Sequence, residues 1–272
     1  MKKIAVLLSA YNGDKYIEEQ IASIYHQKYT DFQLYVRDDG SKKEFVELLK
    51  KLQLKYGFEL ITGENMGFLK SFMFLLDYAE GAELYAFADQ DDIWLEDKLQ
   101  NAVSWFEQDK ENKTPRLYHS AYDIIDDRHN VAGHFYFPNE GYDFRRSITE
   151  NHYSGFAMVI NAKLREYMLK GDCDQIGYHD WWAAMIVQAF GQGWSDDRVT
   201  ALHRVHGDNV TAFNMKTRLQ WLKKSLLEES ELHKRAVEFE RCYKEELTPE
   251  NRKIIQLFSA RRYNLGLSLI HI

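Results

Sequence analysis

The chain has 272 residues and a formal net charge of −7 at pH 7, enough length for one domain with an appendage and a charge that argues against a general nucleic-acid surface. Its two cysteines, Cys173 and Cys242, lie far apart and form neither a zinc pattern nor a disulfide framework, which favours a reducing, cytoplasmic compartment. The apolar run after Lys2 and Lys3 is too short for a signal peptide, no stretch is long enough to cross a bilayer, and no repeat or low-complexity segment is present.

Residues 4–8 (IAVLL) read as a buried strand, followed by the polar loop Ser9-Ala10-Tyr11-Asn12-Gly13 and a helix over residues 15–27 with Ile17, Ile21 and Ile24 on one face. A second strand, residues 32–36, runs into Arg37-Asp38-Asp39-Gly40-Ser41, and a helix over 43–56 follows. A third strand is expected at 58–61, a turn at Asn65-Met66-Gly67 and a helix over 69–78. The fourth strand, 84–88, ends in Asp89-Gln90-Asp91-Asp92-Ile93, ahead of a helix over 95–106. Strands alternating with helices in this way imply a parallel sheet with right-handed crossovers. Ligands of such sheets bind beyond the carboxyl ends of the strands, where all these polar loops fall.

A buried strand that ends in three carboxylates concentrates negative charge where only a cation, a proton or a hydrogen-bond network can offset it. Oxygen ligands with no nearby Cys or His favour Mg²⁺ or Mn²⁺, ions that bind substrate phosphates, so a nucleoside diphosphate fits. The same acids also suit a solvated turn, or capping of the next helix by Asp91 or Asp92, with Trp94 packed behind the turn. The Asp-Asp-Gly-Ser segment suits an Asx turn held by Asp38. Downstream, Gly177-Tyr178-His179-Asp180-Trp181-Trp182 precedes an apolar helix over 183–190. There Asp180 suits either a helix N-cap or a general base, and one of the two tryptophans suits the core.

Taken in order, Ser9-Ala10-Tyr11-Asn12, Asp38-Asp39-Gly40-Ser41, Asn65-Met66-Gly67 and Phe87-Ala88-Asp89-Gln90-Asp91-Asp92-Ile93-Trp94 resemble the motif series of family 2 glycosyltransferases with the GT-A fold. The Asp-Gln-Asp-Asp-Ile-Trp form resembles the bacterial rhamnosyltransferase-like branch, whose members build surface polysaccharides. The resemblance implies an α/β fold: a three-layer α/β/α sandwich with a mainly parallel sheet over residues 1–212 and a helical C-terminal extension over 213–272. It implies metal-dependent, inverting transfer of a rhamnose-, galactose- or glucose-type sugar from a dTDP- or UDP-linked donor to a saccharide or lipid-linked acceptor.

Placed residue by residue, the resemblance implies that Ala10 and Tyr11 pack against the base and that Asp39 accepts a hydrogen bond from it. Asn65 and Gly67 belong to the same donor site, and Gly155, in Tyr153-Ser154-Gly155-Phe156-Ala157, lets backbone approach the donor closely. Asp91, helped by Asp89, is the implied ligand of Mg²⁺ or Mn²⁺, and Asp180 the implied general base. His179, Trp181 and Trp182 fall at the acceptor. Leu202-His203-Arg204-Val205-His206-Gly207-Asp208-Asn209 resembles an Arg-x-His-Gly-x-Asn element of the branch, giving His206 a metal or diphosphate contact and Arg204 phosphate oxygens. The chain departs from many relatives at Lys42-Lys43-Glu44, and Gln90 at the middle of the metal motif leaves the donor sugar unspecified.

From Met215 the pattern is helical, with Leu219, Leu222, Leu226 and Leu227 on one side and a break at Thr248-Pro249. Beyond Glu250 there are no carboxylate side chains, while Arg252, Lys253, Arg261 and Arg262 interleave with apolar residues. Two readings stay open: peripheral contact with the inner face of the plasma membrane, or packing on the catalytic domain or a second subunit. A nucleotidyltransferase is disfavoured because residues 9–14 hold one Gly and no Arg or Lys. A haloacid-dehalogenase-like phosphatase would carry its Asp-x-Asp after the first strand. A non-catalytic sugar-nucleotide- or glycan-binding module remains an alternative.

Overall fold

The computed structural model describes residues 3–108, 113–205 and 230–260. Strand β1 (Ile4–Ala10) is central because its apolar run can be buried on both faces. It pairs in parallel with β2 (Phe32–Asp39) on one side, Ile4 opposite Phe32, and with β4 (Leu84–Ala88) on the other, Ile4 opposite Leu84. Strand β3 (Glu59–Gly63) adds to β2, also in parallel. The crossovers are α1 (Ile17–Tyr25), α2 (Lys43–Tyr56) and α3 (Phe68–Tyr78). Helix α2 buries Phe45, Leu49 and Leu52 at one-face spacing. It closes on Gly57, whose φ of 84° lets its N–H donate back to the Gln53 carbonyl.

The other half of the sheet reverses direction. Strand β8 (Met158–Asn161) runs antiparallel to β4, and β6 (Arg116–Ile125) antiparallel to β8. Strand β9 (Gln192–Arg204) is parallel to β6, and the hairpin strand β7 (Val131–Phe135) returns along β6. The two-residue strand β5 (Ile93–Trp94) pairs with Leu202 and Ala201 of β9, fastening the acidic loop to the far side of the sheet. Because β5 takes Ile93 and Trp94, α4 (Lys98–Phe106) starts later than the sequence pattern implied. Its N-cap position falls on Asp97, so neither Asp91 nor Asp92 is the cap.

Alternation along β1 divides the core in two. Ile4, Val6 and Leu8 join Ile17 and Ile21 of α1, Leu49 of α2 and Leu99 of α4 on one face. After the short helices α5 (Phe144–Thr149), α6 (Ala162–Met168) and α7 (Cys173–Ile176) comes α8 (His179–Phe190), and on the other face Ala5 and Leu7 join Phe72 and Leu76 of α3 and Trp182 and Ile186 of α8. This is a three-layer sandwich.

The helices Glu231–Tyr243 and Pro249–Ser259 add to the second face through Ala236, Phe239, Tyr243, Ile255 and Phe258. The Phe239 ring lies 5.4 Å from that of Trp182 and 5.3 Å from that of Phe144. Thr248 caps the last of these helices, accepting from the Asn251 N–H, with Pro249 in its first turn. The described part of the tail therefore packs on the helical layer of the sheet's second face, and Arg252 reaches Glu245 at 3.8 Å. Residues 206–229, Arg261 and Arg262 lie outside the described residues. Among the described residues no helix is long and apolar enough to cross a membrane.

If these two helices share one cooperative core with the sheet, Phe239→Ala should cost about 3–5 kcal/mol while keeping a single unfolding transition. Urea denaturation followed by both tryptophan fluorescence and circular dichroism checks this. Two separated transitions would show an independent C-terminal unit.

Candidate active site

The acidic loop leaves β4 at the carboxyl edge of the sheet and is fixed from below. Asp92 is buried, with Oδ1 2.9 Å from Nδ1 of His203 and accepting from the Arg204 N–H at 3.2 Å. Its Oδ2 has no hydrogen-bond partner among the described residues. His203 stacks on Phe156, centroids 4.6 Å apart and 6° between planes, which fixes its ring. The Arg204 side chain is not held out toward a phosphate. It is 1% exposed, donating from Nε to the Asp91 carbonyl at 3.1 Å and from Nη2 to Glu19 at 2.7 Å, with its guanidinium 4.5 Å over the Tyr16 ring. The implied phosphate contact of Arg204 is thus replaced by a brace under the acidic loop. His206 lies outside the described residues.

These surroundings shape the charges. Burial, then the negative charges of Asp92 and Asp91 and, more weakly, Asp180, hold the Asp89 carboxyl well above the usual carboxylate range. Burial also raises Asp92, against the opposing His203. His203 is raised: burial alone would lower it, but the hydrogen bond and charge of Asp92, with Asp89 and Asp91, outweigh that. Buried Lys98, 5.0 Å over the Trp94 ring, is pushed down to about 7 by burial despite the charge of Asp92. Lys98 and Glu19 were not legible as part of this cluster, since helix periodicity says nothing of what lies behind the next strand.

At the end of β2, Asp39 is 2% exposed and committed to the turn after β3. Its Oδ1 accepts from the Met66 N–H at 2.9 Å and from Arg37, and its Oδ2 from the Gly67 N–H at 2.9 Å. Arg37 also donates to the Glu64 carbonyl at 3.0 Å and to Ser71 Oγ at 3.1 Å. Asp39 is therefore not presented to a base in this form. Asn65 is exposed and Gly67, at φ 83°, opens α3. Asp38 holds the Asx turn as its sequence implied, accepting from the Ser41 N–H at 3.3 Å. Ala10 is buried, while the Tyr11 side of the loop is half exposed. The loop is tied to β2 by the Asn12 N–H on Ser41 Oγ at 2.9 Å and by the Lys42 N–H on Asn12 Oδ1 at 3.0 Å.

Asp180 lies in the first turn of α8, whose N-cap is Tyr178, so it is not the cap. Its Oδ2 accepts from the Gly155 N–H at 3.2 Å and its Oδ1 from the Trp181 N–H at 2.7 Å, and it is only partly buried. The neighbouring residues implied at the acceptor divide. His179 is 5% exposed, its ring between Phe72 (4.7 Å) and Phe87 (4.9 Å), and Trp182 is fully buried with Nε1 donating to the Met168 carbonyl at 3.2 Å. Neither is open to an acceptor. Trp181 is half-buried, donating to the Ser147 carbonyl at 2.7 Å with Arg235 3.7 Å over its ring. Gly155 also has an internal reason: a Cβ there would sit 2.6 Å from His179 Nε2. Among the described residues no three His, Cys, Asp or Glu side chains form a ready metal cage.

The glycosyl transferase family 2 model matches residues 5–169. The chain is 26% identical to the dTDP-rhamnosyl transferase RfbG of Shigella flexneri over 242 residues, covering 81% of this chain and 78% of that protein. It is 29% identical over 139 residues to the UDP-Glc:alpha-D-GlcNAc-diphosphoundecaprenol beta-1,3-glucosyltransferase WfgD of Escherichia coli, covering 50% of this chain and 52% of that one. Two further bacterial relatives are matched over 33% of their length. The crystal structure of Staphylococcus aureus TarS 1–349 with UDP superposes with a TM-score of 0.63 at 18% identity, over 98% of this chain and 75% of that one. The fold is GT-A.

Because the folded Asp89 carboxyl lies above its unfolded value of roughly 3.9, ionising it costs stability. That cost is absent below the unfolded value and grows as pH rises toward the folded one. In metal-free buffer Asp89→Asn should therefore melt above the wild type at pH 8, with the gap closing toward pH 5. Scanning fluorimetry across that range checks it; a gap independent of pH would overturn the charge assignment.

Proposed function

We propose that this chain, which belongs to glycosyl transferase family 2, transfers a rhamnose-, galactose- or glucose-type sugar with inversion from a dTDP- or UDP-linked donor to a saccharide or lipid-linked acceptor. The single observation that carries this reading is the placement of Asp180, held by the Gly155 N–H and the Trp181 N–H at the start of α8, where the adjoining His179 packs on Phe87 of β4, the strand that runs into the Asp89–Asp92 loop. Two sets of acids, one at the end of β4 and one at the start of α8, thus stand on neighbouring packed elements with different surroundings. Such separation suits a leaving-group site and a base.

In this reading Asp180 accepts the proton of an acceptor hydroxyl as its oxygen bonds to the anomeric carbon. The bond from that carbon to the diphosphate oxygen breaks on the opposite face, and the nucleoside diphosphate carries away the electron pair. The Gly155 N–H on Oδ2 and the Trp181 N–H on Oδ1 hold the carboxylate in orientation. The acidic loop fits a divalent cation shared with substrate phosphates rather than caged by protein: burial and then its like charges raise Asp89, and one oxygen of Asp92 has no hydrogen-bond partner among the described residues. Asp91 and Asp89 would hold Mg²⁺ or Mn²⁺, which supplies neutralisation of the departing diphosphate. A neighbouring structure, the mannosyltransferase PcManGT of Pyrobaculum calidifontis, contains GDP-Man and Mn²⁺ (TM-score 0.56, 16% identity, over 95% of this chain and 69% of that one).

The name of RfbG favours dTDP-rhamnose as donor, and that of WfgD a diphosphate-lipid acceptor. A lipid-linked acceptor would place the enzyme beside the cytoplasmic face of a membrane. Residues 1–212 would form the catalytic unit and the helices beyond it a supporting extension.

With dTDP-rhamnose and UDP-glucose as donors, Asp180→Asn should lower kcat by roughly 10²-fold or more with donor affinity nearly unchanged. Asp91→Asn should instead remove the divalent-cation dependence of nucleotide binding. Calorimetry and turnover on the same folded preparations check both. Retained turnover in Asp180→Asn, or full wild-type activity in excess EDTA, would sink the reading.

A further inference from the structure

Strands β1 and β4 pair only as far as Leu8 opposite Ala88, after which β4 turns off into the acidic loop. Beyond that point the edge of β1 is not left bare. The Gln90 side chain fills the place of the departed strand, accepting from the Tyr11 N–H on Oε1 at 2.8 Å and donating from Nε2 to the Tyr11 carbonyl at 3.2 Å. A primary amide carries one acceptor oxygen and a donor nitrogen, so it satisfies both polar groups of a single residue as a paired strand would. A glutamate could accept but not donate, and an alanine could do neither.

A second observation, from the other side of the contact, agrees. A Cβ at Gly13 would lie 2.3 Å from Gln90 Oε1, so position 13 is bare where the amide needs room. The intervening Asn12 sits at φ 48°, and its N–H and side chain bind Ser41 and Lys42. Residues 11–13 are thereby clamped between the acidic loop and the β2 loop.

We infer that Gln90 is a positioning residue that holds the Tyr11 loop in its nucleotide-binding form and so couples the base end of the donor site to the diphosphate end. This rests on the reading of the site as a nucleotide-sugar site. A half-exposed tyrosine on an untethered loop would have to be ordered by the ligand, and that ordering cost weakens binding. Supplying the order in advance, from a residue between the two acids that face the diphosphate, removes it. The effect belongs to donor affinity and not to the chemical step, since Gln90 touches no reacting group in this scheme.

The test is calorimetry of UDP and dTDP with Mg²⁺ on the wild type, Gln90→Ala, Gln90→Glu, Gly13→Ala and the Gln90→Ala/Gly13→Ala double variant, with donor KM and kcat alongside. Gln90→Ala and Gly13→Ala should each weaken the bound nucleotide about tenfold and raise donor KM correspondingly, with kcat at saturating donor little changed. Gln90→Glu, which keeps one of the two bonds, should fall between. The double variant should be no weaker than the worse single, because both act through one contact. Unchanged nucleotide affinity in Gln90→Ala, a loss that adds fully in the double variant, or lowered melting temperature with intact affinity would overturn the inference. Failure of the wild type to bind either nucleotide would instead overturn the functional reading on which it stands.

Discussion

The fold has to place three carboxylates at the end of a fully buried strand without letting their repulsion unravel the loop that carries them. Its solution is to separate backbone from charge. The backbone is held firmly, by the β5–β9 pairing and by Arg204 on the Asp91 carbonyl, while Asp92 is turned inward to His203 and the Arg204 N–H. Arg204 is itself balanced by Glu19 from α1, so the brace adds little net positive charge to the loop. The mutual repulsion of the carboxylates is left over, and with burial it holds the Asp89 carboxyl well above its ordinary range. A loop built this way is rigid before any ligand arrives and electrostatically incomplete until one does.

The same separation recurs at the end of β2. The Arg37–Asp39 pair is almost fully buried, a setting in which desolvation offsets most of the attraction, so its value lies in geometry more than in stability. That geometry is specific: Asp39 ties the Met66 and Gly67 N–H groups, Arg37 ties the Glu64 carbonyl, and the turn opening α3 is drawn against β2. Two motifs that start 27 residues apart and looked like separate pieces of a donor site are one hydrogen-bonded unit.

Much of this was legible in the sequence wherever one local rule governed. The run in β1, the one-face spacing of Phe45, Leu49 and Leu52 in α2, and the apolar stretch of β4 have little choice of conformation: α2 and β4 have the bounds the pattern implied, and β1 runs two residues further. The antiparallel half of the sheet was not legible, because alternation specifies a strand but not the partner or direction it takes. Side-chain allegiance was the weakest point. Among neighbouring polar residues, nothing local distinguishes the one that turns inward: Asp92 and Arg204 became struts, and Trp182 and His179 core, beside Asp91 and Trp181 with the same residue types.

His179 shows how the core reaches Asp180. Burial pushes its imidazole pKa down, and the ring sits between Phe72 and Phe87 with neither nitrogen hydrogen-bonded among the described residues, a costly arrangement for a polar group. The ring presses against the turn at residue 155 so closely that only glycine fits, and it is that residue's N–H that meets Asp180. Ring, glycine and carboxylate thus form one steric chain running from the sheet to the start of α8. The position of Asp180 is set by packing on β4, the strand whose end carries the other acids, so both halves of the site are built on a common support. Substitutions at Phe72 or Phe87 would then move the two sets of acids relative to each other without touching either.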